Sequence, residues 1–270
     1  MVVKLLGLLL SIIVIFSFIK SIRGLIRKDI KNKHILLIGG TKGVGYELVQ
    51  ILNPTNKVTV IARNMSKRIK GVKYICMDIT KEIKPVLDDK YDIILCCAGF
   101  CEISKETDRN LTEKAKSAMI ENYIGPLNVY NYIKKRNKKE FIFVVCASTS
   151  IWFNVAGYLT YAASKSALFT FANQLSNVKI VAMPNVNTEA FKRENLTKPD
   201  EAKKIERFGV CLEPSQAAKL ILRRIYTRKI IYLDTFTYFL GIKRNCENFV
   251  DCLLYPVATI IVGLVKMSMK

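Results

Sequence analysis

From residue 34 to about residue 233 the chain alternates between short, almost unbroken apolar runs and longer stretches whose apolar positions recur every three or four residues. Ile35-Leu36-Leu37-Ile38, Val58-Thr59-Val60-Ile61, Tyr74-Ile75-Cys76-Met77, Ile93-Ile94-Leu95-Cys96, Phe141-Ile142-Phe143-Val144-Val145 and Lys179-Ile180-Val181-Ala182 read as strands. Strands that are apolar on both faces and separated by helices imply a parallel sheet covered on both sides. Residues 112–136, 158–175 and 215–226 read as helices, the last opened by Pro214 and carrying Lys and Arg near its end. No internal repeat or low-complexity linker interrupts this pattern. Residues 34–232 are therefore predicted to form a single doubly wound α/β domain.

Both ends of the chain depart from it. Residues 5–19 are uncharged and apolar, bounded by Lys4 and Lys20. As a helix from Met1 this segment reaches about 28 Å, enough for a thin bilayer, so residues 1–19 are predicted to be a transmembrane anchor. No small-x-small cleavage site follows. Instead residues 20–33 hold Lys20, Arg23, Arg27, Lys28, Lys31 and Lys33 against the single Lys4 on the other side, a basic linker that places the domain on the cytosolic side. Residues 252–265 are uncharged but include Pro256 and Gly263, and at about 21 Å as a helix they are short for a span. A buried core helix, a re-entrant hairpin and an interfacial helix all remain open. Phe236, Tyr238 and Phe239, with Lys243, Arg244, Lys266 and Lys270, favour membrane association for residues 233–270.

Composition narrows the class. The chain has 270 residues and a net charge of +21. That charge suits a solvated surface or adhesion to anionic lipid, where each basic residue contributes about 1 kcal/mol. No nucleic-acid-binding motif accompanies it, and no such partner is expected. The eight cysteines lack paired Cys-x-x-Cys spacing and mostly fall in apolar runs, as reduced thiols in a cytosolic compartment would. His34 is the only histidine, which leaves no basis for a histidine triad or a histidine-rich metal site; no metal is expected.

Two short stretches carry chemistry. Gly39-Gly40-Thr41-Lys42-Gly43-Val44-Gly45 follows a strand and opens a helix, where glycines permit a tight turn and close approach of a pyrophosphate to the helix N-terminus. The second strand ends in Ile61-Ala62-Arg63-Asn64. An acidic residue there would hold the ribose 2′-hydroxyl of NAD; Arg63, with Lys42 in the loop, suits a 2′-phosphate and predicts NADPH. Farther on, Tyr161 and Lys165 lie four apart and share a helix face. An ammonium beside a phenol favours the phenolate and draws its pKa toward neutrality. Ser148, at a strand end, would aim a hydroxyl at the same point, so the three can bind a carbonyl oxygen and exchange a proton with it.

In their order along the chain, these motifs resemble the short-chain dehydrogenase/reductase superfamily, over about residues 34–232. The resemblance extends to Asp78 after the third strand, Cys97-Ala98-Gly99 after the fourth, and Asn122-Tyr123-Ile124-Gly125. It implies that Tyr161 is the acid/base, that Lys165 lowers its pKa and holds the nicotinamide ribose, that Ser148 orients the carbonyl, and that Asn122 supports a water linking Lys165 to solvent. It further implies a cofactor cleft formed by Gly39, Thr41, Lys42, Gly43, Val44, Gly45, Arg63, Asp78, Ile79, Ala98, Gly99, Tyr161, Lys165, Pro184, Val186 and Thr188. Cys96-Cys97 stands where the family has two asparagines, losing amide hydrogen bonds, and Asn185 stands where it has glycine. The short segment from Thr80 to Tyr91 should trim the usual covering helix to about two turns.

A narrower similarity is to the 3-ketodihydrosphingosine reductase branch. It rests on residues 190–201, Cys211-Leu212-Glu213-Pro214, Ala217-Ala218-Lys219, the Ala-Arg-Asn after the second strand, and the two apolar ends. This implies reduction of 3-ketosphinganine to sphinganine by NADPH, with a long-chain sphingoid ketone taken from membrane lipid at the cytosolic face of the endoplasmic reticulum. Phe191, Leu196, Ile205 and Phe208 are candidates for the acyl path or for a helix packed on its own core. Glu194, Asp200 and Glu201 are candidates for the substrate ammonium. A steroid, retinoid or 3-ketoacyl substrate, or a non-catalytic NADPH-binding scaffold or sensor, stays open, as does a homo-oligomer.

Overall fold

The computed structural model describes residues 29–84, 87–88 and 90–267. The predicted anchor and most of the basic linker lie outside them. Among the described residues, seven parallel strands are ordered β3-β2-β1-β4-β5-β6-β7. They are β1 (His34–Ile38), β2 (Lys57–Ala62), β3 (Lys73–Cys76), β4 (Ile93–Cys96), β5 (Ile142–Ser148), β6 (Val178–Met183) and β7 (Ile230–Tyr232). The pleat sends successive side chains to opposite faces, and both faces are buried. Leu36, Ile38, Ile94 and Phe143 join one apolar cluster, with Val129, Ile133 and Leu168. Ile35, Leu37 and Val181 join the other, with Leu48, Val49, Ala217 and Ile221. β7 has no counterpart among the expected strands: three residues after a long helix carry too little pattern to separate a strand from a helix end.

The helices are α1 (Gly43–Leu52), α2 (Leu111–Met119), α3 (Gly125–Arg136), α4 (Leu159–Asn173), α5 (Glu189–Glu194), α6 (Asp200–Glu206), α7 (Pro214–Arg224), α8 (Thr235–Ile242) and α9 (Phe249–Met267). Local chemistry sets several starts. Thr188 accepts the Phe191 N–H to cap α5, while Glu213 and Gln216 form a capping box that flanks Pro214 at the start of α7. The expected single helix over 112–136 is instead α2 and α3 joined by a π turn, Ile120–Ile124. Pro126 explains it: the ring lacks an N–H and crowds the carbonyl four residues back, that of Asn122, so the turn widens there.

The covering helix expected between the third and fourth strands is absent among the described residues. The connection must pass three strand spacings, about 14 Å, while returning to the start of the sheet. Its described residues form turns, bends and irregular backbone, with Ile83 buried and Leu87 packed against the core.

At the C-terminal end, α8 packs on β7: the Tyr232 and Tyr238 rings meet edge to face at 5.3 Å. Asp251, fully buried, accepts from the Tyr238 hydroxyl at 2.5 Å and from the Glu247 N–H at 2.9 Å. α9 extends beyond the apolar run at both ends, and Ala258, Val262 and Val265 are buried. Its opposite face exposes Leu253, Val257, Ile260, Leu264 and Met267, an apolar stripe at three- and four-residue spacing. Among the described residues no helix is long and apolar enough to cross a membrane.

Phe143 is fully buried at the sheet centre, edge to face with Tyr130 at 5.4 Å. Phe143→Ala should cost about 3–5 kcal/mol, read as a lowered denaturant midpoint in detergent; an unchanged midpoint would contradict this packing.

Candidate active site

The strand order reverses between β1 and β4, and a crevice at the carboxyl ends of the strands follows from it. A cavity of about 920 Å³ opens there, lined by residues from the glycine turn to α8. Gly39 has φ +83°, and a Cβ on it would sit 2.8 Å from the Ala98 N; one on Gly45 would sit 2.1 Å from the Gly39 carbonyl oxygen. Side chains at either position would close the turn on which the cavity rests. All the predicted cofactor residues line this cavity: Gly39, Thr41, Lys42, Gly43, Val44, Gly45, Arg63, Asp78, Ile79, Ala98, Gly99, Tyr161, Lys165, Pro184, Val186 and Thr188. Their spread suits a dinucleotide. The glycine turn would take the pyrophosphate, and Arg63, Lys42 and Lys67 line the cationic end of the cavity. Asp78 accepts from the Thr80 N–H at 3.0 Å and hydroxyl at 2.8 Å, which hold its carboxyl below the ordinary range. Thr188 spends its hydroxyl oxygen on the α5 cap, and Val186 bridges Leu212.

Arg63 has a partner that no sequence motif announces. Its Nη1 lies 2.5 Å from Glu121 Oε1, so the guanidinium is held at the cleft by a carboxylate on the π turn. The pairing spans fifty-eight positions, and no local spacing signals it.

Tyr161, Lys165 and Ser148 come together at the other end. β5 carries Cys146 and Ser148 to the cavity floor, while α4 brings Tyr161 and Lys165. Lys165 is 3% exposed, and its Nζ donates to the Cys146 carbonyl at 2.8 Å. Nζ lies 5.7 Å from the Tyr161 ring centroid. Both Nζ and Asn122 Oδ1 press against Gly99, where a Cβ would meet them at 3.2 and 3.4 Å. Asn122 is fully buried; its amide donates to the Phe100 carbonyl at 2.7 Å and to Ser164 Oγ at 3.0 Å, and accepts the Phe100 N–H at 2.8 Å. These bonds tie the end of β4 to α4. Ser148 Oγ accepts from the N–H and hydroxyl of Ser150 at 3.2 and 3.0 Å, leaving its own hydrogen to point inward.

The Tyr161 shift runs opposite to the expected direction. Burial pushes the phenol above its ordinary value, with the Glu194 charge adding and a hydrogen bond with Ser148 opposing. Burial likewise pulls the Lys165 ammonium down. At 5.7 Å from the ring, bonded to a carbonyl, that ammonium does not outweigh desolvation.

On the substrate side, Phe191, Ile205 and Glu194 line the cavity, whereas Leu196 and Phe208 do not and are 83% and 46% exposed. Asp200 and Glu201 are also exposed and outside it, because α6 turns that edge to solvent; Asp200 pairs with Lys203 at 3.3 Å. The acyl-path and ammonium candidates thus reduce to Phe191, Ile205 and Glu194. All eight cysteines are free.

No protein-family model matches the chain. Among curated proteins, the 3-ketodihydrosphingosine reductase of Dictyostelium discoideum is 28% identical over an alignment of 324 positions, covering 99% of this chain and 95% of the relative. The 3-dehydrosphinganine reductase of Danio rerio is 24% identical, covering 87% and 79%, and the 3-ketodihydrosphingosine reductase of Bos taurus 24%, covering 86% and 78%. Among solved structures, a short-chain dehydrogenase from Burkholderia cenocepacia in complex with NADP superimposes with a TM-score of 0.66 at 16% identity, covering 84% of this chain and 98% of that one. A short-chain dehydrogenase family protein from Francisella tularensis gives 0.62 at 21%, covering 75% and 97%. The chain has the short-chain dehydrogenase fold.

A phenol whose pKa is raised keeps its proton at higher pH. Ultraviolet difference titration of wild type against Tyr161→Phe, without cofactor, should show no ionisation of Tyr161 below its ordinary value of 10; a tyrosinate signal near neutrality would contradict the burial argument.

Proposed function

We propose that this protein reduces 3-ketosphinganine to sphinganine with NADPH, at the cytosolic face of the endoplasmic reticulum membrane. The observation that carries the chemistry is the convergence of Ser148, Tyr161 and Lys165 in one cavity with the glycine turn and Arg63. The substrate class rests on relatives named for this reaction that align along most of the chain. NADPH fits the cleft because Arg63, Lys42 and Lys67 line one end and Gly39 leaves no room for a side chain between turn and Ala98.

Held by the glycine turn, Arg63 and Lys42, NADPH would supply the hydride for the ketone carbon. Ser148 Oγ, whose lone pairs are engaged by Ser150, donates its hydrogen to the ketone oxygen. Tyr161 Oη delivers the proton that becomes the alcohol hydrogen. Lys165, fixed by the Cys146 carbonyl, offsets the charge left on the phenolate. Asn122 keeps Gly99 and α4 at the spacing this requires.

Membrane placement is supported from two directions: the apolar run at residues 5–19 with its basic flank, and the exposed stripe of α9. In this reading α9 lies in the interface with Leu253, Val257, Ile260 and Leu264 toward lipid and its other face on the domain.

Purified in detergent, the wild type should oxidise NADPH with 3-ketosphinganine, and Tyr161→Phe should lower turnover on the order of 10²–10⁴-fold while still binding NADPH. Turnover of a steroid ketone or a 3-ketoacyl thioester without the sphingoid ketone would refute the substrate. In microsomes doped with brominated lipids, the tryptophan introduced by Ile260→Trp should be quenched, and added protease should reach the domain; an unquenched signal or full protection would overturn the placement.

A further inference from the structure

The cofactor cleft and the proton-transfer group leave one charged assembly of the cavity unused. Glu194 ends α5 and Glu206 ends α6. Lys198 lies between them, its Nζ 3.0 Å from Glu194 Oε1 and 2.7 and 2.9 Å from the two oxygens of Glu206. The lysine side chain is wholly buried and stands 4.3 Å above the Phe191 ring, so it reaches the carboxylates from the protein interior. Glu194 and Glu206 line the cavity; Lys198 does not. The Tyr158 hydroxyl donates to Glu194 and is 3.3 Å from Glu206, and its ring is 5.9 Å from that of Tyr161.

Two carboxylates against one ammonium leave a negative charge on the wall beside the reacting group, in a chain whose net charge is +21. The other charged residues near that wall are Glu189 and Arg193, exposed and of opposite sign, and Lys165, whose ammonium is engaged by the Cys146 carbonyl at 2.8 Å. A brace for the α5–α6 segment needs only one carboxylate for its lysine; the second carries a desolvation cost that a cation arriving in the cavity would offset. The cavity also has an apolar wall, from Phe153, Val155, Phe236 and Leu240. A cationic group close to a carbonyl, followed by a hydrocarbon chain, matches these three surfaces together.

We infer that Glu194 and Glu206 form the subsite for the substrate's ammonium, holding an amine on the carbon next to the ketone while the carbonyl oxygen faces Tyr161 and Ser148. This rests on the reductase reading and adds the origin of its selectivity. It has a consequence at the reacting group: the Glu194 charge helps hold the Tyr161 phenol up, and a bound ammonium offsets that charge when the proton must leave.

The test compares kcat/KM for 3-ketosphinganine with that for the same ketone lacking the amine, in wild type, Glu194→Gln and Glu206→Gln. The wild type should prefer the amino ketone, and each substitution should cut that preference roughly tenfold or more, chiefly through KM, with NADPH binding reporting that the variant is folded. A preference unchanged in folded variants overturns the subsite. Wild type alone provides a second check: equal kcat/KM for the two ketones also overturns it, whatever the variants do. If wild type reduces neither ketone, the reductase reading itself fails, an outcome distinct from both.

Discussion

Burying the Lys165 ammonium carries a large desolvation cost, and this end of the active site is arranged around meeting it. Lys165 is 3% exposed and held by the Cys146 carbonyl. An unpaired cation at such depth would cost several kcal/mol, so the carbonyl must be placed first. Its position follows from the register of β5 on β4 and β6, where Cys146 pairs with Val181 and Ser148 with Met183. The same register therefore places both the lysine's anchor and the serine. A side chain at Gly99 would crowd the same groups, since its Cβ would sit 3.2 Å from Nζ and 3.4 Å from Asn122 Oδ1. The π turn is the third requirement, because it swings Asn122 into the gap between β4 and α4.

The cavity built on this constraint has two electrical ends. Arg63, Lys42 and Lys67 line one, while Glu194 and Glu206 line the other. Tyr161 lies toward the anionic end, where its phenol is raised by burial and by Glu194 together. A nicotinamide dinucleotide and an amphipathic cation would each enter at the end of opposite sign, so the wall orders the two ligands before any close contact forms.

The parts of this arrangement that are legible in the sequence are those encoded by neighbours. Apolar runs mark six of the strands, because a doubly covered parallel strand has no polar face to confuse the pattern. The glycine turn and the Tyr161/Lys165 spacing are readable because turn geometry and helix pitch are local. What escapes depends on distance. Glu121 meets Arg63, and Glu206 meets Lys198 and Tyr158, across folds of the chain that no spacing predicts. The π turn at Asn122 is written in Pro126, yet a proline near a helix is more readily taken as a boundary. The direction of the Tyr161 shift is opposite to the expected one because helix pitch shows that two side chains are close and says nothing of how dry their surroundings are. The covering helix after β3 is expected by resemblance alone, and the described residues of that connection instead pack Ile83 and Leu87 against the core.

α8 contributes Phe236 and Leu240 to the cavity wall and packs directly on α9, whose outer face is the exposed stripe of Leu253, Val257, Ile260 and Leu264. The inner wall of the reaction chamber and the lipid-facing surface of the proposed reading are thus two consecutive helices. A substrate dissolved in the bilayer would then reach Tyr161 by lateral diffusion in two dimensions. Its effective concentration would be a mole fraction of the lipid phase, and adding inert lipid would slow the reaction at constant total ketone.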